Sequence, residues 1–390
     1  MTRSYALLIW VAGCGFHSPL GPDGDDTGGG SAMIDGGNAV IDGGLPSNVD
    51  AAACVPGFLD LCAQAPPTMD LDITNGQTLD TDGDPRCRTY LQAGGPAVCL
   101  VYVSSVSIAG SGSLTVSGSR PLAIASTSAI TITGTIDVGS HGTQIGPAAD
   151  HSACAFMTAP DMDIGGAGGG AGGTFTLVGG DGGTGDSDAT LGGDNTGRPG
   201  THGLATPVTR LRGGCRGQVG GAESAGGGNG GSGGHSGGAL YLYARQSLTI
   251  PGTVRATGAR GEGGQVQAGG GGGGSGGLVV IESPTITITG QLGANGGGGG
   301  QGGARIGTTD VTGLPGGDGG LGTTPAPGGF GANNNDVRFS TGGTGGAGAV
   351  AATAGTISIL GGGGGGGAAG AIKLLGTTRL AGSTISPSPS

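Results

Sequence analysis

Aromatic side chains are almost missing from this chain: they make up 3% of its 390 residues, and charged side chains only 11%. With glycine so abundant beside them, a compact globular core is not expected. Lysine occurs once, at Lys373, so no P-loop can be built to grip a phosphate. The net charge of −11 argues against nucleic acid and anionic membrane surfaces as direct partners. There is no C-x-x-C pair, and zinc-ribbon or thioredoxin-like chemistry therefore lacks its donors.

What is abundant is glycine, 102 residues without a strict collagen period, a composition that points to a repetitive scaffold. Within it a five-residue unit, apolar-x-apolar-x-Gly, recurs seven times. The copies start at Val106, Ile130, Phe175, Leu248, Ile286, Ile357 and, more degenerate, Thr378. Alternation of apolar and hydroxyl residues is the pattern of a strand with one buried face. One such strand cannot bury its face alone, whereas similar strands stacked side by side can. The closing glycines of the first two copies lie 24 residues apart and those of the last two 21, the length of one solenoid coil. Longer copies, such as GALYLYARQSLTIPGTVRATG, read as three strands per coil.

The expected fold is therefore all-β: a right-handed parallel β-helix, or solenoid, with Gly-rich insertions and an N-terminal Cys-containing cap. Between the two apolar positions sit Ser107, Thr131, Thr176, Thr249, Thr287, Ser358 and Arg379. Stacked strands would turn these into an outward hydroxyl ladder. The insertions, among them GGDGGT at 179–184 and GGTGGA at 342–347, repeat every three residues. That period fits the extended threefold helix of polyglycine II, with flexible loops as the alternative.

The N-terminus, MTRSYALLIWVAGCG, predicts a lipoprotein signal peptide over 1–13. Its apolar stretch is too short to span a bilayer. Val11-Ala12-Gly13-Cys14 resembles a lipobox, which implies cleavage before Cys14 and acylation of that residue by diacylglycerol and a fatty acid such as palmitate. Residues 14–50 read as a disordered acidic tether with a reach of about 100 Å when extended. Residues 51–103 form the expected cap, and 104–390 the solenoid. Without Cys14 six cysteines remain, Cys54, Cys62, Cys87, Cys99, Cys154 and Cys215. An even set in an exported chain is consistent with three disulfides. Local pairs within 54–99 and a Cys154–Cys215 bridge closing an insertion are the favoured arrangement among fifteen.

Chemistry-bearing motifs are few. Asp80, Asp82 and Asp84 alternate like the start of a calcium loop, a weak candidate metal site that lacks the other ligands of an EF-hand. No cofactor other than such a Ca²⁺ is implied. G-x-S-x-G occurs at 230–234 and 273–277, both inside glycine runs where no nucleophile elbow can form. His17, His141, His151, His202 and His235 show no metal spacing and read as solvated loop residues.

The tether, DTDGDPRC at 80–87, the SRPLAIAST and ITITGTIDV blocks, and junctions such as GGGGGGSGGLVVIES join the VAGC box in one pattern. Together they resemble the Gly-rich, Cys-capped surface lipoproteins encoded by myxobacteria. The resemblance implies a cell-envelope location, anchored by lipid at Cys14 in an outer membrane and facing the periplasm or the cell surface. The function expected is non-catalytic, structural or adhesive, with membrane lipid and a polysaccharide or extracellular matrix as partners. The alternatives are a carbohydrate-active β-helix enzyme, a lyase or glycoside hydrolase, and a glycan-binding module.

Overall fold

A computed structural model describes residues 57–62, 64–142, 144–186, 197–224, 228–330 and 339–390. The chain divides into two units, Met1–Ala53 and Cys54–Ser390, and every described residue belongs to the second. The signal peptide, the tether, Cys14, Cys54 and His17 lie outside the described residues.

No helix occurs among the described residues. The strands are β1 (Leu71–Ile73), β2 (Gly76–Asp80), β3 (Arg88–Leu91), β4 (Ala97–Val103), β5 (Val106–Ile108) and β6 (Ser113–Ser117). Next come β7 (Leu122–Ser126), β8 (Ala129–Ile132), β9 (Thr135–Asp137), β10 (Ala239–Ala244), β11 (Ser247–Ile250) and β12 (Thr253–Arg255). The last are β13 (Leu278–Ile288), β14 (Gln291–Gly293), β15 (Ala304–Ile306), β16 (Thr309–Val311), β17 (Ala371–Leu380) and β18 (Thr384–Ser386).

A ten-stranded sheet runs in the order β1-β5-β8-β11-β13-β10-β7-β4-β3, with β17 added on β13. Its curl comes from β13, whose first half pairs with β10 and whose second half pairs with β11. A six-stranded sheet in the order β18-β14-β12-β9-β6-β2 faces it. Isoleucines align between neighbouring strands: Ile73 with Ile108, Ile108 with Ile132, and Ile250 with Ile288. These close on Leu114, Ile136, Val254 and Leu292 of the six-stranded sheet to form one buried cluster. The strands β7, β10 and the first half of β13 are buried on both faces, which explains their nearly continuous apolar sequence. Their outer face meets Leu59, Leu61, Phe175, Val208 and Leu211 in a second cluster.

The right-handed parallel β-helix expected from the sequence is not what forms. The sheets are mixed: β3 runs antiparallel to β4, β15 and β16 make an antiparallel pair, and the ten-stranded sheet is a curled half-barrel. Five of the seven repeat copies lie in β5, β8, β11, β13 and β17, but those at 175–179 and 357–361 form no strand. Phe175 is buried in the second cluster, while Leu177 and Ile357 face solvent. A five-residue alternation permits a strand, but a partner is needed to make one, and both of these copies are flanked by glycine segments that pair differently. The segment read as a cap supplies β1, β2 and β4, which join the same sheets as the repeats.

The glycine segments pack into a body of their own. At its centre runs 267–277, bonded to six other segments. The N–H groups of Gly270, Gly273 and Gly276 donate to the carbonyls of Gly362, Gly365 and Ala368. Those of Gly269, Gly272 and Ser275 donate to Gly221, Gln218 and Cys215, and those of Gly271, Gly274 and Gly277 to Glu262, Ala259 and Ala256. Partners thus repeat every third residue and point in three directions. Carbonyls of the same strand accept from segments 167–173, 231–237 and 297–303. The spacing leaves no room for a side chain at Gly272, where a Cβ would lie 1.9 Å from the Ala171 carbonyl oxygen.

Candidate functional site

Three regions carry the polar side chains: the turn after β2, the outward row of the repeat strands, and the loops that flank the glycine body. In the first, the three aspartates of the calcium candidate turn to different partners. Asp80 Oδ1 accepts the Asp82 N–H at 3.0 Å. Asp82 accepts the Ser119 N–H at 2.6 Å and its hydroxyl at 2.7 Å. Asp84 takes the Arg86 guanidinium on both oxygens, at 2.9 and 2.7 Å. Those bonds from Arg86 hold the Asp84 carboxyl below its ordinary value. Among the described residues no group of three His, Cys, Asp or Glu side chains is placed to hold a metal ion. The turn thus acts as a clasp between β2 and the loop after β6.

The outward row runs in register from Asp72 through Ser107, Thr131, Thr249 and Thr287 to Arg379. Thr176 and Ser358 belong to the two copies outside the sheet and do not join it. The row is a line of hydroxyls with an acid at one end and a base at the other.

Cys87 is bridged to Cys99 and Cys154 to Cys215. Cys62 is also disulfide-bonded. The first bridge ties the turn after β2 to β4. The second, spanning 61 residues, ties the loop after β9 to the glycine body.

Histidines read as solvated are mostly engaged. His141 Nε2 lies 2.9 Å from Asp137, His202 Nδ1 lies 2.7 Å from Asp181, and His235 Nδ1 bonds Asp150. Ser232 of the first G-x-S-x-G lines a small cavity with His235. In an extended threefold segment, residues three apart are separated by roughly 9 Å along the axis, so the two do not form a nucleophile–base pair. Ser275 of the second is fully buried and bonded to Cys215 and Gly276.

A cavity of about 480 Å³ lies between the β3–β4 turn, loop 151–157 and loop 203–215. Its titratable lining groups are His151, Arg210 and Arg212, with no carboxylate among the lining residues. Arg212 stacks its guanidinium 4.7 Å from the centre of the Phe175 ring and donates to Gly213 O at 3.1 Å and to the Thr206 hydroxyl. Burial lowers its pKa from the ordinary arginine value. Arg210 donates to the Gly94 carbonyl. His151 Nδ1 accepts the Ala153 N–H at 3.2 Å. Burial first, and the Arg212 charge second, push the His151 pKa down. The imidazole is therefore neutral near pH 7, with its proton on Nε2.

The walls are fixed before any ligand arrives. Gln92 clamps Leu211 from both sides, accepting its N–H at 3.0 Å and donating to its carbonyl at 2.7 Å. Lys373 donates to Val208 O at 3.0 Å, and the Cys154–Cys215 bridge lines the floor. The sequence reading missed this cavity. Its one visible signal is TRLRGGCRG at 209–217, where Arg210, Arg212 and Arg216 crowd together in an acidic chain.

No family model, curated protein or solved structure matches this chain.

Proposed function

We propose that this chain is a non-catalytic exported protein, lipid-anchored at Cys14 in the cell envelope, with a structural or adhesive role. The supporting observation is the glycine body, a block held together by backbone hydrogen bonds in three directions and fused to a curled sheet. Such a block offers stiffness without reactive side chains, which suits a spacer or adhesive surface. Disulfides fit an oxidising compartment outside the cytoplasm, and VAGC at 11–14 supplies the anchoring signal. The hydroxyl row gives the sheet a polar flank suited to a polysaccharide or matrix partner.

The test is mass spectrometry of the mature N-terminus together with membrane fractionation. A diacylglyceryl-modified Cys14 in the membrane fraction, lost to the soluble fraction in Cys14→Ala, supports the reading. An unmodified chain in the soluble fraction overturns the anchor. Turnover of a uronate polysaccharide by the purified chain overturns the non-catalytic role.

A further inference from the structure

The cavity beneath the β3–β4 turn has a composition unlike the rest of the molecule. The chain carries a net charge of −11, yet the titratable groups that line this cavity are two arginines and a histidine. No carboxylate lies within ion-pair distance of Arg210 or Arg212 in the described structure. A partly buried guanidinium without a counter-ion is an unfavourable arrangement that an anion relieves. Arg212 uses two N–H groups on Gly213 and Thr206, which leaves three of its five donors. The Nε2–H of His151 adds a neutral donor nearby.

The remaining lining is largely apolar, with Phe156, Met157, Leu204 and Pro207 around the mouth. A bare inorganic anion would leave those walls uncovered, and a cation would meet only positive charge. A volume of about 480 Å³ is that of a small-molecule site.

We propose that this cavity binds a small organic carboxylate with an apolar body, its carboxylate on Arg212 and Arg210 and its apolar part against Phe156, Leu204 and Pro207. The planar guanidinium fork matches a carboxylate in a way that a point charge does not. This binding is independent of the envelope role, since it does not require a lipid on Cys14.

The test is calorimetric titration of the full chain with phenylacetate, phenylethanol and acetate. Phenylacetate is expected to bind about tenfold or more tightly than either the neutral alcohol or the smaller acid, because only it satisfies both the fork and the walls. Arg212→Gln is expected to abolish that preference, with the unliganded melting temperature recorded to separate binding from folding. Because Arg212 also packs on Phe175, a second variant is needed that leaves the fold alone. Leu204 is exposed at the mouth, and Leu204→Glu places a negative charge there without disturbing the core. It is expected to weaken phenylacetate severalfold more than phenylethanol, since both lose an apolar contact but only the acid meets the added charge. Equal affinity for the acid and the alcohol, no phenylacetate binding at millimolar concentration, or unchanged binding in Leu204→Glu would each overturn the proposal.

Discussion

The sheets and the glycine body solve the same packing problem in opposite ways. In the sheets, large side chains fill the space between layers, and Ile73, Ile108, Ile132 and Ile250 are almost wholly buried. In the glycine body side chains are few and mostly small, and backbones approach until their own amides and carbonyls satisfy one another. The first arrangement gains from apolar area removed from water. The second has little such area to gain. It depends on paired peptide groups and must offset the large conformational entropy that each glycine loses on ordering. Stability in the sheets therefore falls when atoms are removed, and in the glycine body when atoms are added.

The sharpest way to break that contrast is to make both kinds of change. Ile132→Ala is expected to cost about 2–5 kcal/mol in denaturant unfolding, since it opens a cavity at the centre of the core. A loss well under 1 kcal/mol would mean that the core is loosely packed. Gly272→Ala adds one methyl where a carbonyl oxygen stands 1.9 Å away, and an overpacking loss of about 1–3 kcal/mol is expected. Gly322, whose Cβ position is empty, is the matched control. There Ala is expected to stabilise by about 0.4–1 kcal/mol through the unfolded chain. Equal effects at 272 and 322 would sink the packed description of the glycine body, as would unprotected hydrogen exchange at Gly270, Gly273 and Gly276. Thr249→Val on the outward row, where paired hydroxyls matter little, is expected to change stability by about 0.2–1 kcal/mol.

Acid offers the mildest probe and distinguishes the two regions by pH. His151, at the glycine body, has a folded pKa lowered by burial and Arg212. Its contribution is complete above the ordinary histidine value of 6.5 and is lost as the pH falls below it. Asp84, at the sheet edge, is lowered by Arg86, so its contribution persists until the pH falls below the ordinary 3.8. In pH-dependent melting, His151→Gln is expected to flatten the upper window and Asp84→Asn the lower. If both variants acted in one window, the two assignments would be wrong.

How much of this was legible in the sequence depends on how local the cause is. The strands β5, β8, β11, β13 and β17 announce themselves by alternation, and Ser107, Thr131, Thr249 and Thr287 do line up outward. The same five-residue pattern misleads at Phe175 and Ile357, because strand pairing is decided by what lies alongside. The antiparallel β3 was invisible for a similar reason: its pairing depends on the tight turn at Gly94, whose φ is +63°. The aspartate alternation at 80–84 shows the opposite failure. There the spacing is right, but Arg86, Ser119 and Arg120 compete for the carboxylates. The cavity was hidden because His151 and Arg212 are distant in sequence and are brought together by loops that no local pattern describes.

The bonding of segment 267–277 bears on how the molecule responds to force. A sheet pulled from its edge peels one hydrogen bond at a time, and it resists only when sheared along its strands. A strand surrounded on every side has no edge from which to start a tear. A pull across segment 267–277 is therefore shared among bonds to six neighbouring segments, whichever side it comes from.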